Sequence, residues 1–260
     1  MKRIAIVTGA SSGIGKEFFL SLREKQTEID EVWVIARNKD KLMALTELSP
    51  FPLKIFPLDL SLPDSVKSIE QELLKEKPSV QYVICASGFG RFCAVESDNA
   101  ETLQNMVDLN CRSIVGLTHA TIPYLAKGGA VILIASMAAF QPIPYIATYG
   151  ATKAFVLSYG RALDKELRKT KGVRCLCVCP FWTKTAFFER AIAKEKDNVV
   201  KKYTVMYEPQ QIVKRAWKDL KRKNRDVSVY GVIARGQKRL VKLLPHKWIM
   251  RIWLKQQKLK

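Results

Sequence analysis

Residues 8–15 read Thr8-Gly9-Ala10-Ser11-Ser12-Gly13-Ile14-Gly15, directly after the apolar run Ile4-Ala5-Ile6-Val7. Downstream, Ile14, Phe18 and Leu22 recur at helical spacing, with Phe19 beside them. The pattern predicts a strand at residues 3–7, a glycine-rich turn and a helix. In that arrangement glycines let the backbone approach a ligand closely, and the helix N-terminus offers free N–H groups and partial positive charge. A dinucleotide pyrophosphate suits such a turn, with Gly9, Ser11, Ser12, Gly13, Ile14 and Gly15 placed to cradle it. The spacing is not the common G-x-G-x-x-G, so alone the turn is also compatible with a tight strand-to-helix connection that binds nothing. Its meaning depends on the rest of the chain.

A second strand is predicted at residues 31–36, and Arg37 follows it about 20 residues after the turn. An acidic residue there would bond the ribose 2′-hydroxyl of NAD, whereas arginine suits a 2′-phosphate. Asn38, Lys39 and Lys41 add hydrogen-bonding capacity and positive charge. NADP(H) is therefore the preferred cofactor over NAD(H), against the bland alternative of a solvated basic turn. A third strand at 53–56 ends near Asp59-Leu60. Ser61 is expected to cap a helix with Pro63 in its first turn, where the missing N–H does no harm. A fourth strand at 80–86 leads into Ser87-Gly88-Phe89-Gly90, and a long amphipathic helix is predicted over 101–126, containing Asn110. A fifth strand at 129–135 places Ser136 at its carboxyl end, and a helix carrying Tyr149 and Lys153 runs to about residue 168. A sixth strand at 173–179 ends in Pro180-Phe181-Trp182. A loop and helix with Phe187, Phe188 and Ile192 follow, then a helix at 209–222 and a short strand at 227–230.

Strands alternating with helices predict an α/β fold with a parallel sheet and helices on both faces. The expectation is a single doubly wound Rossmann domain of about seven parallel strands, spanning residues 1–232 with a substrate-loop segment at 183–208. A basic amphipathic helical extension at 233–260 completes the chain. Ligands of such sheets bind beyond the strand carboxyl ends. Gly9, Arg37, Asp59, Gly88, Ser136 and Pro180 all fall there.

The stretch Tyr149-Gly150-Ala151-Thr152-Lys153 sets a tyrosine and a lysine four apart, on one side of a helix. A phenol has an ordinary pKa of about 10, and a nearby cation favours its ionised form. By itself the pair is as readily a half-buried Tyr and a solvated Lys. In company with the glycine turn, Asp59, Asn110, Ser136 thirteen residues before Tyr149, and Pro180, the chain resembles the short-chain dehydrogenase/reductase family over about residues 3–232. The likeness is greatest to the NADP-dependent hydroxysteroid and 3-ketoacyl reductase branch.

The resemblance implies an oxidoreductase interconverting a ketone or aldehyde and an alcohol, with Asn110, Ser136, Tyr149 and Lys153 as catalytic residues. Tyr149 would be the acid in reduction and the base in oxidation. Lys153 would lower its pKa and bind the nicotinamide ribose, Ser136 would hydrogen-bond the carbonyl oxygen, and Asn110 would hold a water in a proton relay. Gly9, Ser11, Ser12, Gly13, Ile14, Gly15, Arg37, Asp59, Leu60, Ala86, Ser87, Gly88, Tyr149, Lys153, Pro180, Thr183 and Thr185 would hold the cofactor. The family's Asn-Asn-Ala-Gly appears as Cys85-Ala86-Ser87-Gly88, so the first asparagine's hydrogen bonds must come from elsewhere. Its Pro-Gly appears as Pro180-Phe181. A catalytically silent NADP-binding or regulatory relative, possibly at a membrane surface, is the alternative. The resemblance also implies a homo-dimer or homo-tetramer.

Substrate residues are expected at Ser136, Phe140, Tyr145, Tyr149, Phe181, Trp182 and Phe187, with Phe92, Ile143 and Phe188 nearby. This wall suits a steroid, a bile acid or an acyl chain better than a polyol, because burying apolar surface stabilises by about 25 cal/mol per Å². Rings packed only against protein are the alternative.

The formal charge of +20 is uneven: residues 1–193 carry a net +5 and residues 194–260 a net +15. After Pro245, Trp248, Ile249, Ile252 and Trp253 share one helical face, with Lys247, Arg251, Lys255 and Lys258 opposite. Such a helix can fold over protein, or lie on anionic lipid through residues 234–260. No nucleic-acid module appears, so no nucleic-acid partner is expected. Cys85, Cys93, Cys111, Cys175, Cys177 and Cys179 lack a disulfide-framework spacing, and no metal site is expected. With no run of roughly 20 apolar residues, the expectation is a cytoplasmic protein with possible peripheral membrane contact.

Overall fold

The computed structural model describes residues 1–192, 199–200, 203 and 205–259. The predicted substrate-loop segment therefore lies partly outside the described residues. Seven strands form the sheet: β1 Arg3–Thr8, β2 Glu31–Ala36, β3 Leu53–Pro57, β4 Ser79–Cys85, β5 Leu125–Ile134, β6 Arg174–Val178 and β7 Val227–Ser228. All pairings are parallel, in the order β3-β2-β1-β4-β5-β6-β7. The chain order reverses at β1, whose neighbours are β2 and β4, and a crevice opens there beyond the strand ends.

Among the described residues, ten α-helices accompany the sheet: α1 Gly13–Ser21, α2 Lys39–Met43, α3 Pro63–Glu76, α4 Ala100–Val107, α5 Ser113–Thr121, α6 Ala147–Thr170, α7 Phe187–Ala191, α8 Pro209–Leu220, α9 Val232–Leu243 and α10 His246–Gln257. Alternate residues of each central strand point to opposite faces, so both faces are apolar. On one, Ile4, Ile6, Val131 and Leu133 pack against α3, α5 and α6 through Ile69, Leu73, Leu117, Val156 and Leu163. On the other, Ala5, Val7, Ile132 and Ile134 pack against α1, α2 and α8 through Phe18, Leu22, Leu42, Ile212 and Val213. A third cluster lies beyond the strand ends and joins Phe92, Ile146, Ala191 and Val200 to Trp253 of α10.

Three local expectations are corrected. The single helix predicted over 101–126 is α4, a π-helical turn Asp108–Arg112 that contains Asn110, and α5. The apolar period continues through Ile122, but Pro123 has no N–H to extend the ladder, and β5 begins at Leu125, earlier than expected. Ser61 does not cap α3, since Leu62 holds that position. Ser61 instead turns its N–H and hydroxyl toward Asp59 Oδ1, at 2.9 and 2.7 Å. The extension is two helices rather than one, parted at Leu244-Pro245.

The helix that carries Tyr149 and Lys153 is seated by a glycine. At Gly160 an added Cβ would stand 2.4 Å from Cys177 Sγ on β6 and 2.9 Å from Leu133 Cδ1 on β5. Only a hydrogen fits, so α6 lies unusually close to both strands. The Cys175 and Cys177 thiols in this contact are pushed well up by burial, as expected of core sulfur in no reactive role. Gly160→Leu should lower stability by about 1–3 kcal/mol or more through overpacking, read as a lower urea midpoint at unchanged slope.

Candidate active site

One cavity of about 780 Å³ lies across the carboxyl ends of the strands. Its floor is the turn between β1 and α1. Gly9 and Gly13 have φ of +66° and +55°, where side chains are strained. A Cβ on Gly15 would stand 2.3 Å from Gly9 O, so the turn closes only with glycine there. Ser12 occupies the N-cap of α1 without a side-chain cap bond, and no acid lies in the first turn. The free N–H groups of α1 therefore face a cavity with no internal anion to satisfy them. A bound pyrophosphate is the group this fits.

Arg37, Asn38 and Lys41 line the same end of the cavity. The Arg37 guanidinium stands 3.6 Å from Asp59 and is half exposed. Partial burial would raise the Asp59 carboxyl, but hydrogen bonds from Ser61 and the charge of Arg37 hold it below the ordinary range. Thr8 anchors the loop that follows β4. Its Oγ1 accepts from the backbone N–H of Ala86 at 3.0 Å and of Ser87 at 3.1 Å, fixing the loop after β4.

At the centre of the cavity stand Ser136, Tyr149 and Lys153. Ser136 Oγ accepts from Ala138 N at 3.1 Å, which caps the turn Met137–Phe140 and leaves the Ser136 O–H free to donate. The Lys153 ammonium donates to Ile134 O at 2.8 Å and lies 5.6 Å from the centre of the Tyr149 ring. Burial lowers Lys153 to about 8. Burial also pushes Tyr149 up to about 12, against the pull of its hydrogen bond with Ser136. The ring is partly open to the cavity. Desolvation thus outweighs the Ser136 hydrogen bond at the phenol.

Asn110 is fully buried and does not line the cavity. Its Nδ2 donates to Phe89 O at 2.9 Å and to Thr152 Oγ1 at 3.0 Å, and its Oδ1 accepts from Phe89 N at 3.2 Å. The side chain is a brace between the loop after β4 and α6. Close behind, Gly90 gives Tyr149 its place: a Cβ there would meet the Tyr149 and Phe187 rings at 2.8 Å.

The seventeen sequence-derived cofactor positions all line the cavity, as do Phe181, Trp182 and Phe187. Two expected substrate residues do not. Phe140 packs on the core with the Lys238 ammonium 5.2 Å from its ring centre. Tyr145 takes a left-handed backbone with φ of +65° and lies off the cavity wall. Their places are taken by residues the sequence reading did not assign: Gln141, Ile146, and Gln237, Leu240, Val241, Ile252 and Trp253 of the extension. The amphipathic stripe at 248–253 was the available signal, but it does not name the surface it covers. Trp253 covers the site, with its Nε1 donating to Pro144 O at 3.1 Å.

Residues 3–196 match the family described as short chain dehydrogenase. The chain is 28% identical over 190 residues to an uncharacterized oxidoreductase of Staphylococcus epidermidis, covering 72% of this chain and 81% of that one. It is 32% identical over 194 residues to the very-long-chain 3-oxoacyl-CoA reductase of Neurospora crassa, covering 70% of this chain and 56% of that protein. Among solved structures it is similar to a short-chain dehydrogenase from Sphingobium yanoikuyae in complex with NADPH. There the TM-score is 0.75 at 25% identity, over 94% of this chain and 96% of the other.

Proposed function

The chain belongs to the short-chain dehydrogenase family and is a nicotinamide-dependent oxidoreductase of CH–OH and C=O groups, and from that premise we propose that it is an NADP(H)-dependent reductase of a hydrophobic ketone or aldehyde. The observation that carries the reading is the convergence of Ser136, Tyr149 and Lys153 on one cavity with the uncapped N-terminus of α1. Gly9, Ser11, Ser12, Gly13, Ile14 and Gly15 would cradle the pyrophosphate, and Lys153 would hold the nicotinamide ribose. The bound cofactor supplies hydride in one direction and accepts it in the other.

The chain's own residues do the remainder. Ser136 donates to the substrate oxygen and steadies the charge that develops on it. Tyr149 hands that oxygen a proton in reduction and removes it in oxidation. A phenol at about 12 is protonated throughout the neutral range, which suits the acid role in reduction. Lys153 favours the phenolate left behind, and it can do so only while charged. Asn110 keeps the loop at Phe89 and the start of α6 in register.

The wall of Phe92, Phe181, Trp182, Phe187 and Phe188 supports a steroid, bile-acid or acyl-chain-like substrate. Arg37, Asn38 and Lys41 support NADP(H) over NAD(H). Val107, Val115 and Phe155 are exposed on α4, α5 and α6, and Phe155 stacks on Tyr159 at 6.0 Å. That apolar strip supports a homo-dimer or homo-tetramer. No helix among the described residues is long and apolar enough to cross a membrane. Six free cysteines, five of them buried, support a reducing, cytoplasmic setting, with peripheral contact on anionic membrane through residues 234–260.

Tyr149→Phe should lower kcat for NADPH-dependent reduction of a long-chain or steroid ketone by about 10²–10⁴, with NADPH affinity kept. With Lys153 lowered to about 8, its charge is complete below that pH and lost above it, so kcat should be level through neutrality and fall as pH rises past about 8. A profile that climbs through that range overturns the role given to Lys153. Arg37→Asp should raise the KM for NADPH at least about tenfold, the loss of one charged hydrogen bond to the 2′-phosphate, and leave NADH use equal or better; unchanged NADPH kinetics would refute the assignment. Phe155→Glu should yield a monomer by sedimentation velocity, and an unaltered oligomer would remove that strip from the interface.

A further inference from the structure

The outer boundary of the substrate end of the cavity is built by α9 and α10. On α9 the stripe Ile233, Gln237, Leu240 and Val241 lines it, with Leu244 just past the helix end, and on α10 the stripe Ile249, Ile252, Trp253 and Gln256. Three of these residues belong to the cavity and to the outside at once. Ile233, Leu240 and Ile252 line it yet remain 52%, 51% and 54% exposed. They mark the rim of its mouth.

The surface around that rim is unlike the rest of the protein. Leu243 is 81% exposed and Trp248 is 55% exposed, and neither lines the cavity. Leu243 follows Leu240 by three positions, and Trp248 precedes Ile252 by one helical turn, so each extends the rim outward. Arg239, Lys242, Lys247, Arg251, Lys255 and Lys258 surround them, all exposed. Residues 227–260 contain no Asp or Glu. The result is an apolar rim beside a cationic surface to which residues 227–260 contribute no acidic side chain.

We propose that α9 and α10 seat the mouth of the substrate chamber on an anionic lipid surface, so that a membrane-dissolved carbonyl or alcohol passes between the bilayer and Tyr149 without crossing water. Tryptophan and leucine beside a basic face suit the boundary between headgroups and acyl chains, and the anionic leaflet supplies the missing counter-charge. A second copy of this chain is a poor occupant, because it would bring another net +15 quarter against the first. The inner faces of the two helices are fixed by Ile249, Trp253 and Val241, which are buried. The pair is therefore held on the protein by one side and left uncovered on the other. This rests on the reading that the cavity takes an apolar carbonyl, and it adds where that carbonyl comes from.

The test uses the full chain and vesicles of phosphatidylcholine, with or without about one third phosphatidylserine. The protein should float with the anionic vesicles, not the neutral ones, and high salt should release it. Leu243→Glu combined with Trp248→Glu should abolish flotation and leave NADPH-dependent turnover of a small water-soluble ketone unchanged. On a long-chain ketone dissolved in the anionic vesicles, the same variant should turn over at least about tenfold more slowly than the parent. Equal flotation of parent and variant, or equal turnover of the vesicle-borne ketone, overturns the proposal. So does a change of oligomeric state in the variant, which would assign the patch to a subunit contact. If neither ketone turns over while flotation follows the expected pattern, the reductase reading fails and with it the entry route, but the lipid seat stands.

Discussion

The contact between the Lys153 ammonium and the carbonyl oxygen of Ile134, at 2.8 Å, is the constraint from which the site follows. A buried ammonium is costly unless it is hydrogen-bonded, and this one is anchored to the last residue of β5. The anchor holds because α6 lies against β5 and β6 at the separation Gly160 permits. Once Lys153 is fixed, helical geometry sets Tyr149 one turn earlier and directs its ring into the cleft. Ser136, two residues past the end of the same strand, then bonds the phenol. Three residues on two different elements are thereby set by one helix-to-sheet contact and one strand end.

Burial drives the two titrating groups apart, the phenol up to about 12 and the ammonium down to about 8. Both shifts favour the uncharged form of their group, as desolvation must. The site is consequently a reservoir of one proton on Tyr149 and a cation on Lys153 that a modest change in surroundings can remove. Transfer of the proton leaves a phenolate beside that cation, an arrangement worth more in a dry cleft than in water. Charge stabilisation is realised as the phenolate forms, not before, which is where catalysis benefits from it. The sequence spacing alone suggested acidification of the resting phenol. Burial of the phenol opposes that ionisation.

The strand ends and the cofactor floor were legible because each rests on a local rule. Glycine at positive φ, a helix start free of acid, and apolar runs bounded by turns can be read from neighbouring letters, and the cofactor positions read that way all fall on the cavity wall. What escaped depended on distant contacts. The π-helical turn at Asn110 is invisible to a periodicity that continues through Ile122. Ser61 looks like a cap because serine favours that position and Pro63 lies just beyond it, and only the position of Asp59 draws it away. Phe140 and Tyr145 follow Ser136 closely enough to look like substrate residues, but the first turns into the core and the second is carried off the wall by its left-handed backbone. The role of Thr8 in holding Ala86 and Ser87 could be guessed only as a vacancy left by a missing asparagine.

The extension shows most directly why composition cannot replace contact. Trp248, Ile249, Ile252 and Trp253 form one stripe on a wheel, yet the structure divides it, burying Ile249 and Trp253 and exposing Trp248 and Ile252. A stripe wider than one contact can cover will always leave a margin. Here the margin falls at the cavity mouth, where Ile252 of α10 and Ile233 and Leu240 of α9 line the chamber and stay exposed. Trp253 closes over the substrate end through Pro144, and the same helix turns Trp248 away from it. The basic residues occupy the remaining face, where water or a charged partner can solvate them. Docking on protein and exposure of an apolar edge are then not rival fates of this segment. They are two sides of the same pair of helices, and the inner side fixes where the outer one lies.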